Sequence, residues 1–346
     1  MRLAIDAMGG DYAPQEIVAG AVAALPLLAD DDRLILIGQE DRIRQSLAEL
    51  SEWNNDSRVQ IVHASEVIGM GDNPVDALRH KKDNSISKMV QLAAEGLADA
   101  VISAGNTGAC VAACQMKIRA LKGVHRPGIA VVIPSFAGPM VLCDVGANPM
   151  PKPHHLHQYA LMASIYVKHI FNLPHPARVA LLSIGEEDAK GNPLVKQVRA
   201  LIKADPRINF VGYVEGRTIL SGQADVVICD GFVGNVVLKL IEGLSDGLAK
   251  MLIRQVAQTD PNLLPTIEPI LQKIMQNHDY SEHGGAPLLG VDGICIICHG
   301  SSNRRAIKNA IAVAYRLAKS NINERIVEHL NSVKQEGTAE CACENG

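Results

Sequence analysis

Short unbroken apolar runs alternate along this chain with longer stretches whose apolar residues recur at helical spacing. The runs predict strands at Arg2–Asp6, Leu34–Gly38, Val59–His63, Ala100–Ser103, Ile129–Pro134, Met140–Asp144, Arg178–Ser183, Asn209–Val214, Val226–Cys229 and Ile294–Cys298. The periodic stretches predict helices at Pro14–Leu27, Asp41–Leu50, Val75–His80, Ser85–Gly96, Thr107–Leu121, His155–Phe171, Pro193–Ala204, Gly234–Ala257, Ile267–Asn277, Asn303–Ser320 and Ile322–Val333. Strands buried on both faces read as continuous apolar runs, and their alternation with helices predicts an α/β fold: a doubly wound, mainly parallel sheet with helices on both faces. The expected organisation is one domain over 1–335 with a protruding helical arm at 236–280. The polar, Gly-containing residues 336–346 are expected to be a disordered tail. No internal repeat is present.

In such sheets ligands sit beyond the carboxyl ends of strands. Five loops there have binding composition. The clearest is Ser103-Ala104-Gly105-Asn106-Thr107-Gly108-Ala109, where a buried strand enters an apolar helix. Small residues permit close backbone approach, and the helix start presents unpaired N–H groups that suit phosphate. Its spacing is not the G-x-G-x-x-G of dinucleotide binding. The others are Asp6-Ala7-Met8-Gly9-Gly10-Asp11, Asp144-Val145-Gly146-Ala147-Asn148, Gly185–Asn192 and Asp230-Gly231-Phe232-Val233-Gly234-Asn235. Each alone also reads as a plain turn; their recurrence at the strand ends of one sheet argues for a site.

Composition narrows the classes. Of 346 residues 47% are hydrophobic, enough for a large core, while aromatics at 3% leave no stacking surface for single-stranded nucleic acid. The net charge is −4 without a basic stripe, so no nucleic-acid partner is expected. The first residues read directly as a strand rather than a signal peptide, and no apolar run approaches the roughly 18 residues of a membrane span. The eight cysteines are scattered in apolar segments, Cys110 and Cys114 on one helix face and Cys295 and Cys298 as a CxxC, with Cys341 and Cys343 in the polar tail. They read as reduced core thiols of a cytoplasmic protein. His154, His155 and His157 cluster without carboxylates nearby in sequence. No metal and no cofactor is expected.

The motifs together resemble a family. From Ile5-Asp6-Ala7-Met8-Gly9-Gly10-Asp11 the chain passes through Glu66-Val67-Ile68, Asp72-Asn73-Pro74, Ser103–Ala109, Arg126-Pro127, Asp144–Asn148, Gly185-Glu186-Glu187 and Lys190-Gly191. It continues through Asp230-Gly231-Phe232, Gly234-Asn235 and Gly284-Gly285-Ala286-Pro287-Leu288-Leu289-Gly290 to His299-Gly300-Ser301-Ser302-Asn303. In this order and spacing it resembles the bacterial phosphate acyltransferases, which make acyl phosphate from acyl-acyl carrier protein and phosphate. The resemblance implies a homodimer with the fold of phosphate acetyltransferases and isocitrate-type dehydrogenases, peripherally membrane-associated, feeding glycerolipid synthesis and a downstream glycerol-3-phosphate acyltransferase. Two segments depart from the family pattern, Asn84-Ser85-Ile86 and Arg217-Thr218-Ile219-Leu220.

Phosphate attacking a thioester requires no enzyme nucleophile. The protein must position the anion and stabilise the tetrahedral oxyanion. The resemblance supports Lys190 and Asn235 as the catalytic polar pair. Lys190 would be the cation for phosphate or oxyanion. Asn235 would be an amide donor, with a second role as N-cap of the helix after it. Substrate-binding residues are expected at Asp6, Gly9, Gly10, Asn106, Thr107, Gly108, Asp144, Asn148, Glu187, His299 and Ser301. His299 beside Ser301 and Ser302 also fits an acyl-enzyme, but no G-x-S-x-G elbow accompanies it, and helix capping with ligand contact is the favoured reading. The arm carries an apolar stripe of Leu263, Leu264, Ile267, Ile270, Leu271 and Ile274, which reads either as packing against core or dimer mate or as a membrane contact. Two other classes remain in view, an NAD(P)-dependent dehydrogenase on the same fold and a non-catalytic scaffold of lipid-synthesis enzymes. The dehydrogenase lacks its metal-binding carboxylates and adenosine pocket here, and the polar loops argue against the scaffold.

Overall fold

The computed structural model describes residues 1–187, 189–278 and 284–331. Its strands are β1 (Arg2–Asp6), β2 (Arg33–Gly38), β3 (Val59–His63), β4 (Ala100–Ser103), β5 (Gly128–Ser135), β6 (Gly138–Cys143), β7 (Arg178–Ser183), β8 (Asn209–Glu215), β9 (Val226–Ile228), β10 (Ala286–Leu289) and β11 (Ile294–Ile297). They form one sheet in the order β3-β2-β1-β4-β11-β10-β5-β6-β9-β7-β8. Two parallel blocks, β3-β2-β1-β4-β11 and β6-β9-β7-β8, are joined through antiparallel pairings of β10 with β11 and β5, and of β5 with β6. The sheet is mainly parallel, as expected, with antiparallel pairings at its centre. The missed strand is β10, whose Pro287 argues against a central position and which lies just after the Gly284-Gly285 pair.

The helices are α1 (Gln15–Ala24), α2 (Glu40–Ala48), α3 (Pro74–His80), α4 (Ser85–Ala94), α5 (Thr107–Lys117), α6 (Pro153–Ile170), α7 (Pro193–Lys203), α8 (Gly231–Thr259), α9 (Leu264–His278), α10 (Arg304–Lys319) and α11 (322–331). Alternation along the strands sends side chains to opposite faces. Leu3, Ile5, Leu34, Leu36 and Ile102 share one core cluster with residues of α1, α6, α7 and α10, and Ala4, Ile35, Ile37 and Val101 share the other with residues of α4 and α5. Helices therefore cover both faces, as the pattern predicted.

α8 begins three residues earlier than expected, because Asp230 rather than Asn235 is its N-cap, accepting 2.9 Å from the Val233 amide. Its 29 residues span roughly 44 Å. A 3-10 turn at Pro261–Leu263 leads into α9, which packs back on α8. Leu240, Leu244, Leu248, Met251 and Leu252 of α8 stay exposed. The stripe of the second helix is divided. Leu264, Ile267 and Leu271 are half-buried and Leu263 and Ile270 exposed, while the side chain of Ile274 and residues 332–346 lie outside the described part. Among the described residues no helix is long and apolar enough to cross a membrane.

Candidate active site

Buried polar side chains stitch the strand-end loops into fixed shapes. Asp6, at the end of β1, is 1% exposed and accepts from Ser103 Oγ at 2.7 Å and the Met8 amide at 3.1 Å. Burial pushes its carboxyl above the usual range, opposed by these hydrogen bonds and one from Ser85. Ser103 Oγ in turn accepts from the Gly105 amide at 3.0 Å, so the loops after β1 and β4 are tied together. A Cβ on Gly9 would lie 2.5 Å from the Gly105 nitrogen, and only glycine lets the two loops touch. Gly10 follows in the same loop, half-buried.

Asn106 caps α5 through the Ala109 amide at 3.0 Å, while its Nδ2 donates to the carbonyls of Gly69, Met70 and Asp72 at 3.0–3.2 Å. The cap leaves Thr107 and Gly108 exposed at the helix start. Asp144 is fully buried. Its Oδ1 accepts from the amides of Ile129, Gly146 and Ala147 and its Oδ2 from Asn148 at 2.7 Å. Burial raises its pKa against those four N–H groups. Asn148 donates to the Pro127 carbonyl at 2.6 Å and to Tyr159 Oη at 2.7 Å. The side chains of Asp6, Asn106, Asp144 and Asn148 thus all hydrogen-bond within the loops they belong to or to neighbouring loops.

α8 seats on the loop that Asp144 organises. A Cβ on Gly234 would fall 1.9 Å from the Asp144 carbonyl oxygen, so glycine is obligatory for this contact. The next residue, Asn235, is exposed one turn into α8 and lies beside Gly146. It is a helix residue, not the expected cap.

Between α5 and α8 lies a cleft of ≈ 350 Å³. Thr107 and Gly108 form one wall, Asn235 with Gly146 the other, and His299 and Gly300, after β11, close the end. Both parallel blocks therefore contribute to one site. His299 Nδ1 lies 2.7 Å from Ser301 Oγ and accepts the Ser301 amide at 3.2 Å, which puts the neutral ring's proton on Nε2. The helix cap there is Asn303, not His299 or Ser301. A larger hollow of ≈ 820 Å³ lies at the amino ends of β1, β4 and β11, around Asp99, Asp292, Glu324 and Glu328. An acidic lining repels phosphate, so the cleft is the better candidate.

The structure does not bring Lys190 or Glu187 to the cleft wall. Both are exposed on the loop after β7, where the Lys190 amide donates to the Glu187 carbonyl at 2.9 Å. The cation lining the cleft is Lys239, and Glu242 joins it with its Oε1 buried and without a hydrogen-bond partner among the described residues. Sequence reading missed both. The available signal was their spacing: Asn235, Leu238, Lys239 and Glu242 stand at i, i+3, i+4 and i+7 on α8.

This sheet, mixed at its centre and covered by helices on both faces, has the fold of solved phosphotransacylases. The structure superposes on a phosphotransacetylase from Streptococcus pyogenes with a TM-score of 0.64, 17% identity and 93% and 94% of the two chains covered. For a branched-chain phosphotransacylase from Enterococcus faecalis the values are 0.55, 16%, 92% and 99%. In sequence, the model of the family described as "Fatty acid synthesis protein" matches residues 1–325. The "Phosphate acyltransferase" of Dictyoglomus turgidum is 42% identical over 340 residues, covering 97% of this chain and all of that one. That of Desulfitobacterium hafniense is 47% identical over 333 residues, covering 95% and 98%. The chain belongs to this family of phosphate acyltransferases, and it is an acyltransferase.

Proposed function

We propose that the protein transfers a long-chain fatty acyl group from acyl-acyl carrier protein to inorganic phosphate, giving acyl phosphate for phospholipid synthesis. The observation that carries this reading is the cleft: the amino end of α5 faces an amide and a cation on α8 across a space shaped by buried carboxylates. Helix-start amides at Thr107 and Gly108 suit a phosphate dianion. Asn235 donates to the thioester oxygen as it becomes an oxyanion, and Lys239 neutralises charge beside it. Lys190, favoured by the family resemblance, is the alternative cation. Glu242 Oε1 accepts the hydroxyl of monohydrogen phosphate and turns a charged oxygen toward the carbonyl carbon.

The C–O bond forms as phosphate attacks, and the C–S bond breaks as the tetrahedral adduct collapses. The proton of monohydrogen phosphate leaves on the carrier thiol, so the protein supplies none overall and needs no metal or cofactor. The exposed leucines of α8 support a homodimer, and Leu263 with Ile270 support reversible contact with a bilayer, where the apolar product is handed to a glycerol-3-phosphate acyltransferase. The protein is then cytoplasmic and peripherally membrane-associated. The test is hydroxamate trapping of acyl phosphate from palmitoyl-acyl carrier protein and phosphate, with NADP-linked absorbance as control. Phosphate-dependent hydroxamate supports the reading. NADP reduction without it, or neither signal, overturns it.

A further inference from the structure

Behind the cleft, α5 and β11 meet across three thiols. Cys110 and Cys114 stand one turn apart on α5 and face Cys295 on β11. The Cys295 sulfur lies 3.9 Å from that of Cys110 and 3.6 Å from that of Cys114, and all three lie within 4.8 Å of one another. None is more than 2% exposed, and none is in a disulfide. Sulfurs held about 2.3 Å from a common centre are separated by about 3.4 Å in a pyramid with angles near 95°, and by about 3.8 Å at tetrahedral angles. Both spacings from Cys295 lie within about 0.5 Å of the pyramidal value, so a three-coordinate thiophilic centre forms if the three side chains draw together.

Charge decides which centre. The surroundings are apolar, with Ala109, Ala113, Val101 and Ile118 in the same cluster, and Cys110 adds to the upward push that burial exerts on the Asp6 carboxyl. Three thiolates on monovalent copper leave two negative charges, and on zinc one. A buried apolar site disfavours both. Three thiolates on a trivalent metalloid leave none.

We propose that Cys110, Cys114 and Cys295 form a binding site for a trivalent metalloid of the arsenite class. Arsenous acid condenses with the three thiols: three As–S bonds form, three As–O bonds break, and the thiol protons leave with the hydroxyl groups as three waters. No electron is transferred and no net charge is buried. Cys110 lies one turn along α5 from Thr107 and Gly108 at the cleft. The product links α5 to β11, the two elements whose ends carry Thr107, Gly108 and His299.

The test is arsenite titration of the reduced full-length protein, read by native mass spectrometry and by X-ray absorption at the arsenic edge. The expected result is one arsenic per chain with three sulfur neighbours. Cys295→Ala and, separately, Cys114→Ala, each checked by circular dichroism, should lose the third sulfur and weaken capture by roughly tenfold or more. Cys143→Ala, outside the trio, should retain wild-type capture. No arsenic on the folded wild-type protein, a two-sulfur shell, or unchanged capture by both trio variants overturns the proposal. The wild-type spectrum decides even if a variant fails to fold.

Discussion

Gly234→Ala tests whether the contact between α8 and the loop after β6 positions the cleft. Inside a helix, Gly to Ala stabilises by about 1 kcal/mol when nothing is in the way. Here the new methyl would lie 1.9 Å from the Asp144 carbonyl oxygen and 2.9 Å from Cys229 Sγ, whereas a Cβ needs 3.0 Å or more. The carbonyl cannot retreat easily, because the Asp144 amide donates to the Cys229 carbonyl and the Asp144 carboxylate is held by four amides. The start of α8 must instead withdraw by about 1 Å, taking Asn235 with it. Overpacking of this kind costs about 1–3 kcal/mol, so the net effect has the opposite sign to helix propensity. A misplacement of about 1 Å costs on the order of a hundredfold in turnover. Urea denaturation and acyl phosphate formation should both register the change. Gly216→Ala, at a glycine with nothing within 4 Å, is the control and should change stability by no more than about 0.5 kcal/mol. A Gly234→Ala protein as stable as wild type, or more so, with full turnover would refute the reasoning.

Asn235→Ala and Lys239→Ala should each lower kcat by roughly a hundredfold, as loss of an oxyanion donor does; a larger loss for Lys190→Ala than for Lys239→Ala would move the cation to the loop after β7. Turnover should survive EDTA treatment, and loss restored by Mg²⁺ would show a metal requirement. Leu263→Glu with Ile270→Glu should release the protein from liposomes, since each exposed apolar side chain offers up to about 1.5–3 kcal/mol on burial, while turnover in solution persists; unchanged flotation would contradict a membrane role. Burial, then His154, Arg126, His125 and Lys152, pushes His155 from 6.5 down to about 4. Below 6.5 the unfolded chain binds a proton that the folded protein refuses until about pH 4, so stability falls as pH drops through that window. His155→Gln should flatten this slope in urea midpoints measured against pH, and an unaltered slope would count against the assignment.

The strand ends were legible because buried strands announce themselves as apolar runs closed by Gly and Asx residues. The cleft loops at Thr107, Gly108 and Gly146 followed from that, whereas His299 entered with the family resemblance. β10 was not legible: four residues containing Pro287, placed just after two glycines, carry no strand signal of their own, and the strand exists through its pairing with β5 and β11. The start of α8 was misread because the glycines at 231 and 234 look like loop, although Asp230 is a sound N-cap. Lys239 and Glu242 have ordinary surface-helix composition. Their side of α8 becomes a wall only because β5, β10 and β11 lie opposite, which is tertiary information. Asp6, Asp144 and Asn148 were rightly singled out as unusual, but residue type does not say whether a buried carboxylate faces a ligand or its own backbone.

On the proposed chemistry, the acyl group goes to phosphate itself. Phosphorus NMR of a reaction containing palmitoyl-acyl carrier protein, inorganic phosphate and wild-type protein measures this directly, with the free carrier thiol titrated in parallel. A new acyl phosphate resonance should grow in step with thiol release and be absent with Asn235→Ala on the same timescale. Thiol release with no such resonance would show hydrolysis in place of transfer to phosphate and would contradict it.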